Sequence, residues 1–117
     1  MNIDDIYFQL VRSGQKKNEY RLYDEKRQKI SVGDEILLIN NSNKSETLKV
    51  IVTEIKIYKE WRSALFSTWK DDFLGLYHSL DEVVEACSEF YSKSDVEKYG
   101  IVVLTIKIKS WLTALIL

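Results

Sequence analysis

The residues best equipped for chemistry lie together in the segment Ser13-Gly14-Gln15-Lys16-Lys17-Asn18-Glu19-Tyr20-Arg21. From Lys17 to Tyr23 the pattern is extended, and period-2 geometry puts Lys17, Glu19, Arg21 and Tyr23 on one strand face and Asn18, Tyr20 and Leu22 on the other. Glu19 and Arg21 would then stand about 7 Å apart along the chain, with Lys16 just before the strand and able to approach either. Such a trio suits a ligand with both donor and acceptor edges, such as a nucleobase. Arginine offers a planar fork, glutamate accepts from an exocyclic amine, and lysine supplies a movable charge. The same residue types also build plain surface ion-pair networks, worth about 0–1 kcal/mol per pair. As catalysts, Lys16 and Glu19 are ambiguous. A lysine turns base or nucleophile only when burial or neighbouring cations depress its pKa, and Glu19 would oppose that. Glu19 as general base on water, with Lys16 or Arg21 holding the developing oxyanion, is the coherent alternative.

The elements that must position this segment are legible on both sides of it. Ile3, Ile6, Tyr7, Leu10 and Val11 recur at helical spacing, Asp4 and Asp5 sit where a helix start favours acids, and Gly14 is placed to end the helix. Two more strands are expected over Glu35–Asn40, after a turn at Gly33-Asp34, and over Thr47–Tyr58; Asn40-Asn41-Ser42-Asn43 is a turn signal between them. Trp61, Ala64, Leu65 and Trp69 share one helical stripe. Ser79-Leu80-Asp81-Glu82 reads as a capping box opening a helix whose apolar face is Leu80, Val83, Val84, Cys87 and Tyr91. A second box, Ser94-Asp95-Val96-Glu97, opens a short turn ending at Gly100, and Ile101–Lys109 is a strand. Helix, three strands, helices and a late strand do not alternate as a doubly wound fold does. The expectation is one α+β domain over 1–117, with its core at about 3–109: a small barrel flanked by helices, whose last strand returns to pair with the early ones.

Composition narrows the function classes. The chain has 117 residues, a formal charge of −1, one cysteine and one histidine. Cys87 cannot form an internal disulfide, and no basic-apolar leader opens the chain, so a reducing cytoplasm is expected. One Cys and one His (His78) cannot supply a zinc set, and no calcium-loop spacing is present; neither metal nor cofactor is expected. Residues 12–29 hold seven basic groups against three acids, whereas residues 71–97 hold eight acids and only Lys93. That argues against a general duplex-DNA coat and for a local patch suited to a defined anionic ligand or a short RNA segment. Asp24, Lys26 and Arg27 follow the strand of Glu19 and Arg21 and are candidates for the rim of a cleft. Trp61, Trp69 and Tyr77 are candidate stacking platforms, although helical spacing favours core roles for the two tryptophans. His78 reads as a surface residue before a helix, and Cys87 as a small buried hydrophobe. The tail at 110–117 is apolar and too short to span a bilayer; it either packs back across the barrel or forms a homodimer contact.

The run Gly14-x-Lys16-x-x-Glu19-x-Arg21 resembles the signature of the ASCH domain (activating signal cointegrator homology) of the PUA-like superfamily. Leu22–Ile30 with Val32-Gly33-Asp34 resembles its next block, and Tyr99-Gly100-Ile101-Val102-Val103 its final strand, so the similarity spans roughly residues 5–109. The resemblance implies a PUA-like β-barrel with helices around it and a cleft beside the motif. It also implies binding of RNA or a nucleoside-like ligand, with Lys16, Lys17, Glu19, Arg21, Asp24, Lys26 and Arg27 as the candidate contacts. Some small members of the family deacetylate N4-acetylcytidine, and ribonuclease activity occurs within it. For the amidohydrolases the resemblance implies a lysine, matched by Lys16, a threonine three positions later, where Glu19 stands, and a later glutamate. The corresponding region around Gly75-Leu76-Tyr77-His78 has no acid. The rival readings are therefore such an enzyme, with Lys16 and Glu19 at its centre, or a protein–protein adaptor using the apolar tail.

Overall fold

The computed structural model describes residues 1–109. A two-residue strand, β1 (Asn2–Ile3), leads into helix α1 (Asp5–Arg12) and strand β2 (Asn18–Leu22). A single 3-10 turn (Arg27–Lys29) precedes the hairpin of β3 (Glu35–Asn40) and β4 (Thr47–Tyr58). Four short helices follow, α2 (Trp61–Leu65), α3 (Trp69–Asp72), α4 (Leu80–Cys87) and α5 (Lys93–Tyr99), before strand β5 (Ile101–Ile108). The strands form one sheet in the order β1-β3-β4-β5-β2, with β1 parallel to β3 and every other pair antiparallel. The sheet curls into a half-barrel, so the architecture is the expected α+β one, and β5 returns between β4 and β2.

The composition of β5 follows from burial on both of its faces. Ile101 and Val103 face a core shared with Tyr20, Leu22, Trp61, Leu65, Phe73, Val83 and Cys87. Val102, Leu104 and Ile106 face a second core with Ile3, Phe8, Val11, Leu38, Val50 and Val52. A central strand buried on both faces has no solvent side to mark with polar residues. Ile101–Leu104 is therefore continuously apolar, and polar alternation starts at Thr105 and Lys107, where one face opens.

Several sequence expectations need correction. The apolar helix face expected to run through Tyr91 stops at Cys87, where α4 ends, and Tyr91 lies in the loop before α5. Ile3 belongs to β1 rather than to the helix. Asp4 is the N-cap, so α1 starts later, buries Phe8 and Val11, and leaves Ile6 half exposed. The tryptophan stripe is interrupted between α2 and α3, and Trp69 is only half-buried. At the break, the Thr68 hydroxyl is tied to the Tyr20 hydroxyl at 2.5 Å, a tertiary contact that sequence periodicity does not register. The cap of α5 is Ser92, whose Oγ accepts from the Asp95 N–H at 3.1 Å, rather than Ser94; the earlier start places Val96 inside the helix, facing the core. The first capping box does form: Ser79 Oγ accepts from the Glu82 N–H, while the Glu82 carboxylate reaches one residue further back, to the His78 N–H. Among the described residues no helix is long and apolar enough to cross a membrane. The apolar tail expected to pack back or to join two subunits lies outside the described residues.

Candidate functional site

Lys16 is delivered by the way α1 ends. Gly14 adopts φ +83°, a conformation that costs a glycine nothing, and the N–H groups of Gln15 and Lys16 then both donate to the Leu10 carbonyl at 3.0 Å. The chain folds back over the helix end and the lysine turns inward, only 4 % exposed. Its Nζ donates to the Asn18 carbonyl and, at 2.6 Å, to Glu19 Oε1. The ammonium also lies 5.3 Å from the ring centre of Tyr20 and 5.7 Å from that of Phe73, within cation–π range.

Glu19, on β2, is the hub. It is 4 % exposed, and both of its oxygens are engaged: Oε1 by Lys16, Oε2 by Arg21 through Nε at 3.1 Å and Nη2 at 3.0 Å. Burial pushes its pKa up, but the two cations and their hydrogen bonds pull harder, and the carboxyl ends below its usual range. Arg21 mirrors this. Burial lowers its pKa, and the Glu19 carboxylate, with Tyr91 beside it, more than restores it. Arg21 Nη2 also donates to the Asn2 carbonyl at 2.8 Å. Because β1 and β2 are the two edges of the sheet, that bond clasps the open seam of the half-barrel.

The origin of β2 is pinned from the other side by a residue that the sequence reading did not single out. Asp72, at the end of α3, is 1 % exposed and accepts from the Lys17 N–H at 2.8 Å, Asn18 Nδ2 at 3.0 Å and the Tyr20 hydroxyl. Burial, and next the charge of Asp72, hold the Tyr20 phenol far above its usual pKa. In the sequence Asp72 is one acid in an acidic stretch, and only its apolar neighbour Phe73 hints that it turns inward.

Lys16, Glu19 and Arg21 share one wall of a cavity of about 170 Å³. The remaining walls are aromatic: Tyr7, Tyr20, Trp61, Phe73, Phe90 and Tyr91, with Asn2, Ile3, Asp4, Asn41 and Cys87 completing the lining. Trp61 and Tyr91 stack at 6.0 Å with planes 11° apart, and Phe90, half exposed, meets Tyr7 edge-on at 6.4 Å. Burial pushes the Cys87 thiol up to about 11. Of the proposed stacking platforms, Trp61 lines the cavity, whereas Trp69 and Tyr77 pack against the core outside it, Tyr77 bonding the Tyr7 hydroxyl at 2.7 Å.

Other candidates fall elsewhere. Lys17 precedes the strand, is exposed, and borders a separate hollow with Gly14 and Ile106. Asp24 is a turn-former: it takes the Arg27 N–H at 3.1 Å and Arg27 Nη1 at 2.7 Å. Lys26 and Arg27 line a second groove next to the cavity. His78 is exposed. Among the described residues, no three His, Cys, Asp or Glu side chains gather closely enough to hold a metal ion.

A curled α+β half-barrel with helices on its flank and a charged row beside its seam is a PUA-like architecture. The family model of the ASCH domain matches residues 1–110, and the chain belongs to that family. The chain is similar to the crystal structure of the hypothetical Pyrococcus protein PH0355, with 34 % identity, TM-score 0.78, and coverage of 93 % of this chain and 96 % of that one. It is also similar to the solution NMR structure of protein PF0455 from Pyrococcus furiosus, with 30 % identity, TM-score 0.65, and coverage of 95 % and 100 %. No curated protein matches it.

Proposed function

We propose that the protein binds RNA or a modified nucleoside, taking one base into the cavity beside Lys16, Glu19 and Arg21. The observation that carries this reading is the burial of three charged groups along the wall of an aromatic-lined cavity. Desolvating ions costs several kcal/mol each, and well-packed apolar residues usually serve stability as well or better. Two large apolar cores already supply burial, and a seam clasp needs only Arg21, so recognition is the use that accounts for all three groups. The chemistry fits: aromatic faces take a base by stacking, and the wall presents cationic donors with a net charge of +1 to a carbonyl-bearing edge. ASCH domains are generally RNA-binding, which supports the same reading.

Hydrolysis of an N4-acylated cytidine, or ribonuclease action, is the rival. Glu19 holds its proton too weakly, and accepts too many hydrogen bonds already, to serve well as a general base on water. Titration with short single-stranded RNAs and with a panel of the four ribonucleosides and N4-acetylcytidine tests the binding reading. The expected result is that Arg21→Ala weakens the tightest ligand about tenfold or more; equal affinities across the panel refute it. Incubation with N4-acetylcytidine followed by chromatography addresses the rival. Turnover that survives in a Lys16→Met protein would exclude a mechanism based on that lysine.

A further inference from the structure

The cavity has room for little more than one base. A protein cavity of about 150 Å³ takes one benzene ring, and this one, at about 170 Å³, is of the same order. That suits a single heteroaromatic ring, and the sugar and phosphate of a nucleotide must lie outside. The groove that adjoins the cavity lies across the seam between β1 and β2, because Asn2 and Arg21, whose bond clasps that seam, line both.

That groove is cationic where it meets the seam. Arg21, Lys26 and Arg27 line it with the Met1 amino group, which donates to the Leu37 carbonyl at 2.8 Å. Its one acid, Glu35, is paired with Lys109, and Arg27 is paired with Asp24. Lys26 is exposed and has no ion-pair partner among the described residues. A second observation is independent of charge. Two buried side-chain polar atoms among the described residues lack a hydrogen-bond partner, Trp61 Nε1 and Arg27 Nε. Both are donors, and one belongs to a residue of the cavity, the other to a residue of the groove. Buried donors left unmet are uncommon, and both lie beneath the surface, so an acceptor reaches them only when the side chain turns outward.

We infer that the groove of Arg21, Lys26 and Arg27 is a phosphate subsite, so that the ligand is a nucleotide or a phosphodiester-linked base rather than a free nucleoside. This rests on the reading that the cavity holds a base. Arg21 would then act from the seam on both parts, and Arg27 and Lys26 on the phosphate alone, through the charge-assisted bonds that guanidinium and ammonium groups form with phosphate oxygens.

The test is calorimetric titration of the ribonucleoside that binds best, against its 3′- and 5′-monophosphates, in wild type and in Lys26→Glu. The expected ratio of monophosphate to nucleoside affinity is about ten or more in wild type, for one of the two phosphate positions, and near one in the variant. Rising potassium chloride should erode the wild-type ratio and leave the variant's ratio flat. Lys26 is exposed, so the variant should keep the wild-type melting temperature; Arg27→Lys, which keeps a charge for Asp24 but loses the planar fork, should give an intermediate ratio. A wild-type ratio near one, or a high ratio that persists in Lys26→Glu, overturns the subsite while nucleoside binding leaves the cavity reading standing. Failure of every nucleoside and nucleotide to bind overturns both.

Discussion

Replacing Glu19 with glutamine keeps the outline of the side chain and removes the charge on which Lys16 and Arg21 converge. Lys16 is 3 % exposed at its side chain and would be left with the Asn18 carbonyl and a neutral amide. Arg21, at 16 %, retains the Asn2 carbonyl and some water. Breaking a buried pair by removing one partner costs about 3–5 kcal/mol, and most of it here should fall on the lysine. For a domain of this size that corresponds to a fall in Tm on the order of 10–20 °C, a large share of a total stability of about 5–15 kcal/mol. Lys16→Met should cost less, because Glu19 keeps both bonds from Arg21. The double variant should lose less than the sum of the two singles, with a coupling of about 1–3 kcal/mol. Urea unfolding followed by circular dichroism measures all three, with equal m-values as the check that the unfolded state is comparable. A Glu19→Gln protein within 1 kcal/mol of wild type, with effects that add, would mean that the trio is a solvated surface network and would remove the case for a built site.

The remaining expectations concern protonation and the pinning of β2. The Glu19 carboxyl titrates below its unfolded value of 4.5, because Lys16 and Arg21 outweigh burial. Its contribution is therefore complete above that value and is lost as pH falls through the lower folded pKa. Melting temperatures between about pH 7 and pH 3 should fall more steeply for wild type than for Glu19→Gln, and parallel curves would contradict the assignment. Cys87, buried and held near 11, should react with iodoacetamide at pH 8 about a hundredfold more slowly in the native protein than in urea; equal rates would show the thiol to be open. Asp72→Ala orphans donors from Lys17, Asn18 and Tyr20 and should cost about 3–5 kcal/mol, with faster amide exchange along Asn18–Leu22. An unchanged exchange pattern would mean that Asp72 does not anchor the strand.

Much of the fold follows from local pattern, because the features that define it are local. Gly14, the Asn40–Asn43 turn and the Ser79 cap are set by backbone conformation within a few residues. The position of Lys16, Glu19 and Arg21 on one wall also follows from helix end and strand period. The rest of the site does not, because it is assembled across the chain. Tyr7 lies on an apolar helical face that looks like core, Tyr91 continues the apolar spacing of α4 beyond that helix's end at Cys87, and Phe73 and Phe90 sit in segments with no clear period. Asp72 meets β2 across more than fifty residues. β1 is two residues long and pairs only because β3 presents an edge. Lys17 illustrates the opposite error, since period-2 counting carried the strand one residue too far and placed an exposed lysine with the buried pair.

Base recognition here depends on the ion-paired row of Lys16, Glu19 and Arg21 facing a base-sized aromatic cavity. Its most direct test is a crystal structure at saturating concentration of the tightest nucleoside or nucleotide from the titrations. Planar density is expected against Phe90, Tyr91 or Trp61, with a polar edge within about 3 Å of Arg21 or Lys16. Density for the base elsewhere on the protein, with the cavity unfilled, would contradict it.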